Sequence, residues 1–372
     1  MKINTITCHN VYNYGASLQA YALQQYLIDL GHEVQVINYA PQYLSFHFKL
    51  STYISKDEYT YKPSLKYPHI KYLYVLYRYL LSLKNINRKR SFDRFTKKHL
   101  RLTRRYKNNE LLKKGYPQAD IYIAGSDQIW NSKYMENGKD PAFYLNFVKK
   151  GMKLSYAASF GAEGIDEEYR TVLSHWLSSF DAISVREACG QTILKTFDIE
   201  STVVCDPVFL LSKKEWEAIC KKNMYKDYVL IYNIGPINSK ILKDAQIIAD
   251  KNKLKIISIK DAYTINQADI NIEDAGPCEF ISLINNATYI LSNSFHATAF
   301  SIIFNKQFYT YTFNNIKNSS RMLYLLNIFG LEDHFEADIA QNRVICYSQV
   351  TLLLQKYVCK SKEWLKSKLT DR

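Results

Sequence analysis

The chain has 372 residues, with 49 Lys and Arg against 35 Asp and Glu, a formal net charge of +14. Nineteen of the basic residues and four of the acidic ones lie between Phe46 and Gly115, so this segment alone carries +15 and the remainder sums to about −1; a protein that binds nucleic acid with its whole body is thereby disfavoured. A hydrophobic content of 47% with 23% charged residues excludes a disordered chain, and the length suits two domains.

Lys2–Thr7 reads as a short strand, followed by the loop His9–Gly15 and a helix from about Ala16 to Leu30. Ala16, Ala20, Leu23, Leu27 and Leu30 recur at spacings of four and three, which makes one apolar face, and Gly31 stands at the stop position. With Glu33–Tyr39 as the next strand, this is a βαβ opening, and it implies a parallel sheet. Pro41 ends that unit. The basic segment that follows, about 42–115, holds the tyrosine-rich helical run Tyr72–Lys84 and the cluster Arg88-Lys89-Arg90. It is expected to be a helical insertion outside the sheet. Strands are expected again at Ala119–Ala124, Lys153–Ser159, Ala182–Val185 and Thr202–Cys205, with helices near Glu167–Ser179 and Ala188–Thr196. A second α/β series starts at Tyr228–Ile234 and continues through strands at Lys255–Ile259, Thr288–Leu291 and Gln307–Tyr311. Val350–Lys368 is a closing helix. The expected organisation is an N-terminal domain over residues 1–206, a C-terminal domain over 207–348 and a closing helix over 349–372.

In such sheets ligands sit beyond the C-terminal strand ends, in a cleft between the halves, and the polar loops at 9–16, 125–131, 184–187 and 292–297 all lie at strand ends. In Leu291–Phe300, Ser294 or Asn293 is placed to cap a helix whose free N–H groups suit an anion, with His296 beside it for proton transfer. The plainer alternative is a histidine satisfying a local hydrogen bond. Arg186 follows a strand and can clamp a carboxylate or phosphate, or else pair with Glu187. Arg321 begins a helix after Asn318-Ser319-Ser320, where a solvated arginine is the plainer reading. Gly125–Asn131 can bind sugar hydroxyls through Ser126 and Asp127 while Trp130 stacks on a sugar face, or it can cap the sheet. Gly15, after Asn13, marks a place for positive φ or close ligand approach. Nothing matches a dinucleotide fingerprint, a P-loop or a Gly-x-Ser-x-Gly elbow.

The 31 tyrosines offer amphipathic surface suited to sugars, structural aromatics being the plainer account. Seven cysteines, none in a C-x-x-C or at zinc spacing to a histidine, suggest buried thiols in a reducing compartment and no metal site. The N-terminus reads as a strand rather than a signal peptide, and no run approaches the roughly 20 apolar residues of a membrane span. A cytoplasmic protein is expected.

The runs Asn13–Gln24, Ala124–Asn131, Ser155–Gly161, Ile183–Glu187, Cys205–Leu211, Asn293–Ser301 and Ser319–Arg321 resemble, in order, motifs of the polysaccharide pyruvyl transferase family. The resemblance implies two Rossmann-like domains in a glycosyltransferase-B-like arrangement. It also implies an enzyme that attaches the enolpyruvyl group of phosphoenolpyruvate as a ketal across two sugar hydroxyls, releasing phosphate. On this reading His296 moves the proton, Asp127 orients or deprotonates an acceptor hydroxyl, and Arg186 and Arg321 hold anionic groups. Asn13, Gly15, Ser126, Trp130 and Ser294 complete the expected binding set. No cofactor and no metal is called for, phosphoenolpyruvate being the donor substrate. One departure is local: many members carry a basic and an aliphatic residue before the histidine, where this chain has Ser294-Phe295. The alternatives from other classes are a nucleotide-sugar glycosyltransferase and a non-catalytic carbohydrate-binding protein. Family members act on lipid-linked saccharides, so the basic insertion suits peripheral docking at the inner, anionic face of a membrane; a solvated insertion is the plainer alternative.

Overall fold

The computed structural model describes residues 1–44, 54, 62–132, 136, 138–162, 164–261, 263–313, 319–341 and 343–370. Much of the start of the basic segment and Asn318 of the Arg321 motif thus lie outside the described residues. Two compact units emerge, Met1–Leu210 with Lys360–Arg372, and Leu211–Cys359. Each is a Rossmann-like α/β domain built on a parallel sheet.

The first sheet comprises β1 (Lys2–Ile6), β2 (Glu33–Tyr39), β3 (Leu102–Tyr106), β4 (Ile121–Ala124), β5 (Met152–Ala158), β6 (Ala182–Val185) and β7 (Thr202–Val203). They lie in the order β3-β2-β1-β4-β5-β6-β7, every pair parallel. All four residues of β4 are buried, as expected of an inner strand covered on both faces. Helix α1 (Tyr14–Asp29) links β1 to β2 and is buried on almost every side, its polar Gln19 and Gln24 included. Gln24 earns its burial by donating to the His99 carbonyl at 2.9 Å and accepting from the Arg101 N–H at 2.6 Å. Gly31 ends the helix at φ +86°, a conformation that costs glycine little.

The basic segment departs from expectation. It contributes two helices, α2 (Pro68–Lys84) and α3 (Ile86–His99), and then strand β3, which pairs with β2 at the sheet edge before helix α4 (Asn109–Gly115). It is therefore a crossover within the sheet rather than a wholly helical insertion. Leu102–Tyr106 hid its strand character because Arg104 and Arg105 are exposed on it, charges of the kind that protect an edge from pairing with another chain. The first domain also holds α5 (Arg170–Leu177) and α6 (Ala188–Lys195).

In the second domain α7 (Lys213–Glu217) precedes β8 (Tyr228–Tyr232), α8 (Ser239–Asn252), β9 (Lys255–Ile259), β10 (Ile270–Ile272), α9 (Pro277–Asn286), β11 (Tyr289–Ser292), α10 (Phe295–Ile303), β12 (Gln307–Thr310) and α11 (Ser320–Phe329). The closing helix α12 (Tyr347–Thr370) belongs to this unit up to Cys359 and to the first from Lys360. The sheet order is β10-β9-β8-β11-β12, again all parallel. Strand β10, of three residues, was too short to leave a periodic trace in the sequence.

The tyrosines follow the plainer account in large part. Tyr14, Tyr39, Tyr122, Tyr144, Tyr156, Tyr228, Tyr232 and Tyr311 are among the largest fully buried side chains. Among them the hydroxyls of Tyr39, Tyr122, Tyr144, Tyr228 and Tyr311 reach internal acceptors, Tyr228 at the Leu283 carbonyl (2.6 Å) and Tyr311 at Asp244 (2.8 Å). None of the cysteines forms a disulfide; Cys8, Cys205 and Cys278 are buried, whereas Cys346 and Cys359 are exposed, against the expectation of burial. No helix among the described residues is long and apolar enough to cross a membrane.

His334 supplies a test of the second core. It is buried beside Phe308 and Tyr309, its Nδ1 lies 3.1 Å from the Phe308 carbonyl, and burial lowers its pKa from the ordinary 6.5. A histidine that resists protonation in the fold but accepts it when unfolded withdraws stability as pH falls through and below 6.5. The unfolding midpoint in urea should fall between neutral pH and pH 5, and His334→Gln should flatten that slope. An unchanged slope would place the acid-sensitive group elsewhere.

Candidate functional site

Strand order reverses between β1 and β4 in the first sheet and between β8 and β11 in the second. The loops after those four strands are thus the places where a doubly wound sheet opens a crevice.

In the first domain Gly125-Ser126-Asp127 follows β4. Gly125 has φ +119°, and a Cβ there would lie 2.2 Å from the Tyr156 carbonyl oxygen. Gly125→Ala should therefore lower stability by about 3 kcal/mol, read from the urea midpoint; a loss under about 1 kcal/mol would mean the loop relaxes at little cost. Ser126 is fully buried. Its N–H donates to the Gln19 Oε1 at 3.1 Å and its hydroxyl to the Ala157 carbonyl at 2.7 Å. Gln19 also donates to the Thr7 hydroxyl, which in turn donates to the Ser126 carbonyl. One buried glutamine of α1 thereby ties β1 to the loop after β4.

Asp127 adopts φ +73°, a left-handed conformation that aspartate tolerates better than most residues. Its carbonyl accepts from the Ile129 and Ser159 N–H groups at 2.8 and 3.0 Å. Its carboxylate, about one-fifth exposed, lies 3.7 Å from the Arg186 guanidinium. Arg186 is 2% exposed and donates to Asp206 at 2.9 Å and to Glu187 at 3.4 Å. Burial alone pulls its pKa down, but Asp206, Glu187 and Asp127 outweigh that and leave it above its ordinary value. Ser159 donates to Glu187 at 2.6 Å and accepts from the Gly161 N–H. The ends of β4, β5 and β6 are thus joined by one charged network, of which Asp127 is the member that reaches the surface.

Several expectations are corrected here. Trp130 has no exposed face for a sugar: it is fully buried, stacks on Tyr144 at 5.6 Å and donates its indole N–H to the Phe143 carbonyl. Ser126 spends its hydroxyl inside the fold and has none to offer a ligand. Arg186 is an internal ion-pair partner rather than a presented clamp, because three carboxylates surround it in a buried position. Gly15 sits within the first turn of α1 and is absent from the positive-φ residues; the left-handed residue of that loop is Tyr12, at φ +46°. Asn13 caps α1 by accepting from the Ala16 N–H at 3.1 Å. Asp206 was missing from the expected set, although it is an acidic residue at the end of the expected strand Thr202–Cys205, one before proline. Tyr12 and Gln19 carried no comparable signal.

Basic helix α3 rests on this loop. Tyr12 donates to Asp93 at 2.9 Å, Phe92 packs on Tyr14 with centroids 5.0 Å apart, and the guanidinium of Arg88 lies 5.2 Å from the Tyr14 ring centre. Asn13 is thus held between two tyrosines that α3 grips.

In the second domain Asn293 follows β11 and bridges to the end of β8, accepting from the Ile234 N–H at 2.8 Å and donating to its carbonyl at 3.0 Å. Ser294 is the N-cap of α10, accepting from the Ala297 N–H at 3.4 Å. His296 follows in the first turn, buried, its ring edge-on to Phe295 at 5.2 Å. The helix N-terminus and an imidazole are so placed together at the switch point of the sheet, a combination suited to an anionic group that must be protonated nearby. Arg321 stands in the first turn of α11, half-buried, behind the N-cap residue Ser319. Among the described residues no three His, Cys, Asp or Glu side chains are grouped to hold a metal ion.

A family model described as polysaccharide pyruvyl transferase matches residues 13–315. The chain belongs to this family. The polysaccharide pyruvyl transferase match takes in Asn13, the Gly125–Asp127 loop, Arg186 and the Ser294–His296 turn, and stops before Arg321. No curated protein matches the chain. Among solved structures it is similar to the Staphylococcus aureus MnaA–UDP complex (11% identity, 98% of this chain and 88% of that one, TM-score 0.49). It is also similar to the glycosyltransferase SnogD from Streptomyces nogalater (9%, 98% and 95%, 0.45) and to UDP-N-acetylglucosamine 2-epimerase from Rickettsia bellii (14%, 99% and 97%, 0.44). Likenesses this loose bear on no point of chemistry.

Proposed function

We propose that this pyruvyl transferase moves the enolpyruvyl group of phosphoenolpyruvate onto two hydroxyls of a surface-polysaccharide sugar, closing a pyruvate ketal and releasing phosphate. The observation that carries the reading is the position of His296 in a chain of this family, in the first turn of α10 behind the Ser294 cap. Protonation of the donor's methylene carbon leaves an oxocarbenium-like carbon, and a first sugar hydroxyl attacks it and gives up its proton. Departure of inorganic phosphate regenerates that cationic carbon, and the second hydroxyl closes the ring with loss of its own proton. His296 supplies the first proton, and the N–H groups at the start of α10 favour the phosphate. Ser294 stands where many members have a basic residue, and its hydroxyl, the backbone amides of the helix N-terminus or Arg321 meets the donor's charge in its place. In the first domain Asp127 is the carboxylate proposed to take a proton from an acceptor hydroxyl. Arg186 holds that carboxylate rather than a ligand.

The test is phosphate release from phosphoenolpyruvate with simple hexopyranosides and a lipid-linked saccharide offered as acceptors. Release that depends on an acceptor is expected. Binding of a nucleotide sugar, with no acceptor-dependent phosphate release, would overturn the proposal.

A further inference from the structure

Helix α2 is inside out. Leu73, Leu76, Leu80 and Leu83 recur at spacings of three and four and form one stripe, yet all are exposed, between 42% and 66%. Tyr72, Tyr77 and Tyr79 flank the stripe and are exposed as well. Arg78 lies on the other side and is 4% exposed, and its guanidinium approaches the ring of Tyr74, as does the Lys62 ammonium at 4.3 Å. A helix that merely covered a domain would turn its leucines inward and its arginine to water. A contiguous apolar stripe of this length marks a surface made for contact.

The charge around it identifies the contact. The segment that carries α2 and α3 has 19 basic and 4 acidic residues between Phe46 and Gly115, and Arg90, Arg94, Lys97 and Lys98 of α3 are exposed. An apolar stripe edged by tyrosines, on a helix of a strongly basic segment, complements a layer that is anionic outside and apolar beneath. A second copy of this chain would bring the same positive charge to the contact. Tyrosine suits the boundary of such a layer, its ring buried and its hydroxyl wet. We infer that α2 is a membrane-docking helix that lies in the plane of an anionic lipid surface, its leucines entering the acyl boundary while the neighbouring basic residues meet the headgroups.

The experiment is flotation of the full chain with phosphatidylglycerol vesicles and with phosphatidylcholine vesicles, at low and high salt. Binding to the anionic vesicles that weakens with salt is expected. The variant Leu73→Asp/Leu76→Asp/Leu80→Asp should lower the bound fraction about tenfold or more, because it removes the inserting side chains. Charge reversal at Arg90→Glu/Arg94→Glu/Lys97→Glu leaves the leucines in place and should lower binding to anionic vesicles alone. Both variants alter exposed residues and should keep the melting temperature. The inference is overturned if the wild type stays unbound at low salt, or if the aspartate variant floats as well as the wild type. Dimerisation that the aspartate variant abolishes, without vesicle binding, would overturn it too, since the stripe would then belong to a second copy.

Discussion

Alanine at His296 is expected to lower acceptor-dependent phosphate release by about a hundredfold to ten-thousandfold, the range general acid–base groups contribute. The loss should fall on kcat more than on phosphoenolpyruvate affinity, because in the proposed reaction the imidazole acts on the methylene carbon whereas the helix N-terminus meets the phosphate. A second readout separates chemistry from misfolding. In deuterated water the wild type should place deuterium in the ketal methyl group, and the variant should keep the wild-type melting temperature while incorporating it far more slowly. A rate within about twofold of wild type would remove the proton from His296.

The second large effect is structural. Arg186→Ala leaves Asp206, Glu187 and Asp127 facing one another across a buried space, and breaking such a cluster should cost about 3–5 kcal/mol. Lysine at this position should recover only part, since an ammonium lacks the planar fork that addresses more than one carboxylate. Urea unfolding of the wild type, the alanine and the lysine variants measures this directly. The opposite pattern, an unchanged midpoint with a more than tenfold rise in KM for phosphoenolpyruvate, would return Arg186 to the role of ligand clamp.

The strands, their parallel pairing and the loops at their ends were legible in the sequence because inner parallel strands are apolar runs and their helices are amphipathic. Val34, Val36 and Ile37 showed β2, and Tyr228–Ile231 showed β8. What stayed hidden was context-dependent burial. Arg186 and Trp130 occupy loop-adjacent motif positions of the kind that commonly face a ligand, and only packing reveals that one is enclosed by carboxylates and the other by rings. Strand β3 was hidden by its arginines; α2 was legible as a helical run over Tyr72–Lys84, but the outward turn of its leucines was not. Of the two cap candidates, Ser294 and Asn293, the structure gives the role to Ser294, a small hydroxyl before an apolar run.

The grip of α3 on Tyr12 and Tyr14 has a thermodynamic corollary. Asn13 lies between two side chains anchored on α3, so the free energy of that helix and the geometry of the α1 cap are linked quantities. Linkage is reciprocal: if occupancy of the basic segment by a surface multiplies the affinity of a ligand at the loop by some factor, that ligand multiplies the affinity of the segment for its surface by the same factor. Where that factor exceeds one, the protein holds its surface more tightly when loaded than when empty; where it is below one, loading loosens the hold.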